Sequence, residues 1–277
     1  MAQTASLEGR VVAITGGARG IGRAIAQAAI QRGARVGIGD IDGPAAEAAA
    51  EELGSGTVGL PLDVTDSQSF AGFLDRVEES AGPLDVLVNN AGVMVVGPFA
   101  EANEGAAARV MAVNVDGVIR GMRLAIPRLR RRGGGQIVNV VSGAAWVAPP
   151  ALATYAASKH AVKGLTDAVR EEVRGERIVL TAVYPNVVQT DLAVGTGPAR
   201  GGRVMGPDEV GEAVADAIAN PRDEVFVPRW IGTMLRFQSA LPPRGQRALA
   251  RAFGLDKLYT GVDPSSRADY ERRLSGG

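Results

Sequence analysis

The sequence predicts an α/β fold: a doubly wound, seven-stranded parallel sheet with helices on both faces, followed by a C-terminal helical extension. Three observations support this. Short apolar runs alternate with segments of helical periodicity from the first residues onward. Strands separated by helices pair in parallel through right-handed crossovers, which covers both faces of the sheet. No linker or internal repeat divides the chain, so residues 1–229 are expected to form one domain, with 230–277 packed on it.

Taken in order, residues 10–15 (RVVAIT) read as a buried strand, followed by glycines and then Ile21, Ile25 and Ala28 at helical spacing. Arg35–Asp40 (RVGIGD) is a second strand, and residues 45–53 form a helix rich in Ala and Glu. Residues 57–62 (TVGLPL) make a weaker strand because of Pro61; Phe70, Phe73, Leu74 and Val77 then mark a helical stripe. Residues 85–88 (DVLV) are a fourth strand, leading into Asn89-Asn90-Ala91-Gly92. A long helical region over 104–131 precedes a fifth strand at 136–141 (QIVNVV). Residues 154–174 read as a helix, 178–184 as a sixth strand, Pro207–Ala219 as a helix and Glu224–Val227 as a seventh strand. After Trp230 there are no strands, only apolar positions mixed with arginines.

Bulk properties exclude several functions. Thirty basic and thirty acidic residues cancel, so no overall field favours nucleic acid or an anionic membrane. Cysteine is absent, and His160 is the single histidine, which argues against disulfides, thiolate chemistry and a histidine-built metal centre. The first ten residues lack the pattern of a secretory signal, and no run approaches the roughly 18 apolar residues of a spanning helix. A cytoplasmic protein is expected. Lysine occurs only at Lys159, Lys163 and Lys257; the other basic residues are arginine.

Thr15-Gly16-Gly17-Ala18-Arg19-Gly20-Ile21-Gly22 lies between the first strand and the first helix. Glycines there let the backbone bend sharply and approach a pyrophosphate resting on the helix N-terminus. A tight connection without any ligand would use the same glycines. Asp40, with Ile41 beside it, ends the second strand eighteen residues after Gly22. Its carboxylate can accept hydrogen bonds from an adenosine ribose and would repel a 2′-phosphate, so NAD is expected ahead of NADP. Arg19 argues the other way, if it meets a 2′-phosphate rather than solvent. Asp63-Val64, after the third strand, are placed to border an adenine. Asn90, Ala91 and Gly92 fall where strand order reverses, and so should line the crevice.

Tyr155-Ala-Ala-Ser-Lys159 puts a phenol and an ammonium at i and i+4, on one face of a helix. A tyrosine of pKa near 10 is a poor acid–base group at neutral pH, and a nearby cation would lower it. The use of lysine in a chain that prefers arginine points to a specific role for its compact, rotatable head. His160 and Lys163 are read as surface or packing residues. Ser142 follows the fifth strand, where its hydroxyl could hold a substrate oxygen beside the phenol. Asn114 interrupts an apolar stretch; a buried amide must be satisfied, by a water-bridged contact toward the lysine or by plain structure.

Together these residues resemble the short-chain dehydrogenase/reductase family, in its compact single-domain branch. The resemblance spans roughly residues 7–227 and rests on Thr15-Gly-x-x-x-Gly-x-Gly22, Asn89-Asn-Ala-Gly92, Asn114, Ser142 and Tyr155-x-x-x-Lys159. It implies an oxidoreductase that moves a hydride between NAD(H) and a secondary alcohol or ketone. In it Tyr155 exchanges a proton with the substrate oxygen, and Lys159 lowers the phenol's pKa and binds the nicotinamide ribose. Ser142 polarises the substrate oxygen, while Asn114 holds a water that relays protons to Lys159. Pro185, Val188 and Thr190 fall at the nicotinamide, Thr190 where the carboxamide is expected. The family's usual Pro-Gly is Pro185-Asn186 here, which narrows the pocket or adds a polar contact. The longer C-terminus favours a homodimer, through the helical regions 104–131 and 154–174, over a homotetramer.

Val93, Met94, Val95, Val96 and Ala144 are expected to face the substrate, with Trp146, Val147, Leu192 and Met205. Their apolar character predicts a small lipophilic substrate: a steroid, retinoid, terpenoid or long-chain alcohol or ketone. The C-terminal run 230–258 is expected to pack over the substrate mouth or a partner subunit in preference to a membrane interface. Two rivals remain: a non-catalytic nucleotide-binding regulator, and a nucleotide-sugar epimerase or dehydratase. The intact Ser142, Tyr155 and Lys159 argue against the first, and the glycine spacing and lack of a larger substrate domain against the second.

Overall fold

The computed structural model of the chain describes residues 5–194, 204–255, 258–260, 262, 267 and 270. Seven strands form one parallel sheet in the order β3-β2-β1-β4-β5-β6-β7. They are β1 (Val11–Thr15), β2 (Arg35–Asp40), β3 (Val58–Pro61), β4 (Val86–Asn89), β5 (Gly135–Val140), β6 (Ile178–Pro185) and β7 (Glu224–Val227). The order reverses between β1 and β4, and a crevice opens at their carboxyl ends.

Side-chain alternation divides the core. Val12 and Ile14 of β1 enter one apolar layer, with α1 (Gly20–Ile30), α2 (Gly43–Leu53) and α7 (Pro207–Ala219). Val11 and Ala13 enter the other, with α3 (Ser67–Ala81), α5 (Gly117–Arg132) and α6 (Ala153–Glu172). Capping sets the helix starts: Asp42 accepts the Ala45 N–H, and Asp66 accepts the Ser69 N–H at 2.6 Å. β3 is an edge strand, paired only with β2, so Pro61 at its end forfeits no hydrogen bond to a second neighbour.

The long helix expected over 104–131 is interrupted. α4 (Glu104–Met111) passes into a wider π turn over Ala112–Asp116 before α5 begins. The extra residue of such a turn re-aims one side chain, and here Asn114 points into the core with none of its surface exposed. That satisfaction of a buried amide, invisible to periodicity, is what breaks the helix.

A chain of polar contacts crosses the otherwise apolar α6–sheet layer. Asn89 Nδ2 donates to Asn139 Oδ1 at 2.8 Å, and Asn139 Nδ2 donates to Thr166 Oγ1 at 2.9 Å. Thr166 in turn donates to the Val162 carbonyl, at 2.7 Å, within α6. Beyond β7, α8 (Ile231–Ala240) buries Ile231 and Leu235 against Phe226, while α9 (Pro243–Ala252) buries no side chain fully. Among the described residues, no helix is long and apolar enough to cross a membrane.

Candidate active site

At the switch point the β1 turn is stitched to the end of β4. The Thr15 hydroxyl, turned inward, accepts the Asn90 and Ala91 N–H groups, each at 3.0 Å. Asn90 Nδ2 returns hydrogen bonds to the carbonyls of Thr15 and Gly16. Thr15 and the Asn90 amide therefore shape the turn, and their side chains are occupied in doing so. Gly16 and Gly20 have φ of 64° and 54°, which favours glycine. Arg19 begins α1 without a side-chain cap, so the first-turn N–H groups stay open beside Ile21, which lines the adjoining cavity.

Asp40 stands at the end of β2, where Oδ2 accepts the Ala18 N–H and Oδ1 the Asp42 N–H, each at 3.2 Å. Ile41 next to it is 64% exposed. Arg19 forms an ion pair with Asp42 at 2.7 Å, both side chains near half exposed. Such a surface pair contributes at most about 1 kcal/mol, so Arg19 is held only lightly. Asp63 Oδ1 accepts from the Thr65 amide and hydroxyl, and Val64 is buried against Gly117.

Across the crevice, Tyr155 and Lys159 share the buried face of α6. Lys159 Nζ donates to the Val140 carbonyl at 3.1 Å and lies 5.6 Å from the Tyr155 ring centroid. Ser142, just past β5, accepts the Ala144 N–H at 3.1 Å and lines the same cavity as the Tyr155 phenol. Burial pushes the phenol well above its ordinary value, and the nearby Ser142 hydroxyl draws it only partly back. Burial lowers Lys159 to about 8. In the chain alone, desolvation thus outweighs the lowering of Tyr155 that the neighbouring cation was expected to bring.

Asn114 does not reach for the lysine directly. Its amide bonds the Val93 main chain and donates to Ser158 Oγ at 3.0 Å. Asn114 and Lys159 nevertheless converge: a Cβ on Gly92 would lie 3.3 Å from Asn114 Oδ1 and 3.7 Å from Lys159 Nζ. His160 bonds the Ala156 carbonyl and Lys163 pairs with Asp167, in keeping with packing and surface roles.

Between the two halves lies a cavity of about 240 Å³, bordered by Tyr155, Lys159, Ser142, Asn90, Gly92 and Thr190. Pro185, Asn186 and Val188 also line it. Of the residues expected to face the substrate, Met94, Ala144, Val147 and Leu192 do so. Two others need correction. Trp146 belongs to an aromatic cluster, edge-on to Tyr184 and tilted against Phe226, each at 5.7 Å. Met205 is 2% exposed, in the α7-side core. Val93 binds Asn114 through its main chain, and Val95 and Val96 are not in the cavity wall, although Val96 packs against the cluster that contains Tyr155.

The C-terminal segment supplies the rest. Met234, Leu235, Phe253, Leu255 and Tyr259 line the cavity, so this run packs over the mouth. Arg267 and Tyr270, which no local pattern singles out, reach the loops behind Met94 and Leu192.

Comparison with known proteins agrees with this geometry. The family model described as short chain dehydrogenase matches residues 10–200. A probable oxidoreductase, EphD, of Mycobacterium tuberculosis is 35% identical over 75% of this chain, and the chain spans only 39% of that protein's length. The 2-(S)-hydroxypropyl-CoM dehydrogenase 3 of Xanthobacter autotrophicus is 36% identical over 77% of this chain and 82% of its own. A short-chain dehydrogenase/reductase of Burkholderia phymatum, solved in complex with NAD, superposes with a TM-score of 0.77. It is 27% identical and covers 84% of this chain and 94% of its own.

Proposed function

We propose, because this chain belongs to the short-chain dehydrogenase family, that it is an NAD-dependent oxidoreductase interconverting an apolar secondary alcohol and its ketone. The observation that carries this reading is the convergence of Tyr155, Ser142 and Lys159 on the wall of one cavity that reaches the glycine-rich turn, with the Lys159 ammonium 5.6 Å from the Tyr155 ring centroid.

The residues present fit a nicotinamide dinucleotide. The uncapped amides of α1 suit a pyrophosphate, and Asp40 stands where a ribose would lie, with the exposed Ile41 as an apolar surface for the adenine. Asp40 disfavours a 2′-phosphate, which supports NAD over NADP, while Arg19 is held only lightly by Asp42 and does not decide the choice. The relative solved with NAD supports the same choice.

A bound nicotinamide supplies or takes up the hydride. Burial keeps the Tyr155 phenol protonated, ready to donate to a carbonyl oxygen as that oxygen gains charge. Ser142 directs its hydroxyl at the same oxygen. Lys159, anchored on the Val140 carbonyl, places its ammonium beside the phenol, where it stabilises the tyrosinate left after proton transfer. In the alcohol direction the same proton returns to Tyr155. Apolar walls at Met94, Val147 and Leu192 hold the substrate's hydrocarbon and exclude water.

The test is nicotinamide absorbance with a panel of apolar secondary alcohols and ketones, run with NAD and NADP beside Tyr155→Phe. Turnover with NAD that disappears in the variant is the expected result. Cofactor binding without turnover, the same in both proteins, would leave a nucleotide-binding regulator.

A further inference from the structure

Arg267 is 1% exposed, the most deeply buried arginine among the described residues. Its Nη1 donates to the carbonyls of Leu192 and Val194, each at 3.0 Å, and its Nη2 to the Met94 carbonyl at 3.0 Å. A guanidinium withdrawn from water is costly unless its donors are satisfied, and its planar fork can span several acceptors at once. Here the acceptors belong to two separate loops, one after β4 and one after β6. Met94 and Leu192 are also two of the apolar walls of the cavity.

Tyr270 reinforces the arrangement. The guanidinium stacks 4.9 Å from its ring centroid, and its hydroxyl accepts the Met94 N–H at 2.9 Å. Both polar groups of the Met94 main chain are therefore held by the C-terminal segment. Tyr259 packs against Met94, Leu152 and Tyr155 and closes the same wall.

We propose that Arg267 is a positioning residue for substrate selection. By tying the Met94 loop to the 192–194 loop, it fixes the width and far end of the chamber beside Tyr155. The chamber then admits compact apolar ketones and alcohols and rejects long ones. The whole cavity is about 240 Å³, and its Ile21, Asn90 and Thr190 side would be taken by the cofactor, which leaves only a compact space beside Tyr155 for the substrate. The inference rests on the oxidoreductase reading for its substrate class, but not for the structural tie.

The experiment compares Arg267→Met, Arg267→Lys and Tyr270→Phe with the parent chain. It measures kinetics on methyl ketones of increasing length, NADH affinity by fluorescence, and hydrogen exchange over residues 92–96. In Arg267→Met, KM for short ketones should rise on the order of tenfold with kcat changed less than about threefold. Long ketones should gain relative to short ones, and NADH affinity should stay as it was. Arg267→Lys should restore only part, because one ammonium cannot bridge three carbonyls in two loops. Exchange over 92–96 should quicken in both Arg267→Met and Tyr270→Phe.

An unchanged length profile and unchanged exchange in a folded Arg267→Met would overturn the proposal. So would a parallel loss of kcat and NADH affinity, which marks general loosening. If Arg267→Met does not fold, Tyr270→Phe carries the same comparison with only one acceptor removed. If the parent turns over no ketone, the functional reading fails, while exchange over 92–96 still decides whether Arg267 holds the walls.

Discussion

Val93 and Asn114 hold each other by a reciprocal pair of hydrogen bonds. The Val93 N–H donates to Asn114 Oδ1 at 2.8 Å, and Asn114 Nδ2 donates to the Val93 carbonyl at 3.0 Å. One side chain thereby completes a loop main chain as a strand neighbour would. Its second amide proton goes to Ser158 on α6, next to Lys159. Asn114→Leu would strand the Val93 N–H and carbonyl, each at about 1–3 kcal/mol when buried and unpaired, while Ser158 keeps its bond to the Tyr155 carbonyl. We expect a stability loss of about 2–6 kcal/mol, read as a lower urea midpoint at unchanged m-value. A midpoint equal to the parent's would show the clamp to be dispensable.

Tyr155→Phe removes the proposed proton donor and leaves the shape of the ring. Turnover should fall on the order of 10²–10⁴-fold, the usual weight of a positioned acid or base. NADH affinity, measured by fluorescence titration, should be retained. Substantial residual turnover would assign the proton transfer elsewhere.

Lys159 predicts a pH dependence of stability. Burial lowers its pKa from 10.5 to about 8, so the unfolded chain binds the extra proton between those two values. Stability then rises with pH through that window and is penalised below about 8. Lys159→Met should flatten the dependence. Melting temperatures of both proteins, taken in steps from neutral to alkaline pH, test this; parallel curves would contradict it.

Asp40→Ala tests the choice of cofactor. Loss of charge-assisted hydrogen bonds to a ribose should weaken NAD by about 10- to 100-fold, while NADP gains relative to it. The measurement is paired fluorescence titration with NADH and NADPH. An unaltered ratio between them removes Asp40 from the discrimination.

Gly22→Ala asks whether the turn tolerates a methyl group. The added Cβ would lie 2.0 Å from the Gly16 carbonyl oxygen and 2.6 Å from Asn90 Nδ2, so the main chain must move. NADH affinity should drop by at least about tenfold, since the amides proposed to hold a pyrophosphate would lose their geometry. Gly72→Ala in α3 is the control, with nothing within 4 Å of its Cβ. It should stabilise the chain by about 0.5–1 kcal/mol. Equal affinities in both variants would show that the crowding at Gly22 is absorbed elsewhere.

Much of the molecule was legible because its information is local. Val12 and Ile14 facing one layer while Val11 and Ala13 face the other is a direct reading of strand period. The i, i+4 spacing of Tyr155 and Lys159 by itself puts them on one face of a helix. Three features escaped for a common reason: they depend on partners far away in the chain. The π turn at Asn114 exists because Val93 and Ser158 need an amide. Trp146 reads like a pocket residue, since nothing nearby announces Tyr184 and Phe226. Arg267 sits in a run of charges that resembles a solvated tail, and only the approach of the Met94 and Leu192 carbonyls accounts for its burial. Asn186, visible as a departure, proved to line the cavity.

The Asn89–Asn139–Thr166 chain has a consequence for how accurately this protein can be assembled. Apolar surfaces slide past one another at small cost, so a helix lying on leucines and valines has no single preferred axial setting. Asn139 supplies one. If α6 slipped by one turn, about 5.4 Å, Thr166 would leave its amide donor, stranding polar groups where no water can answer them. The helix therefore seats like an indexed dial, in one notch or none, and Tyr155 and Lys159 inherit that setting relative to Ser142 just past the neighbouring strand.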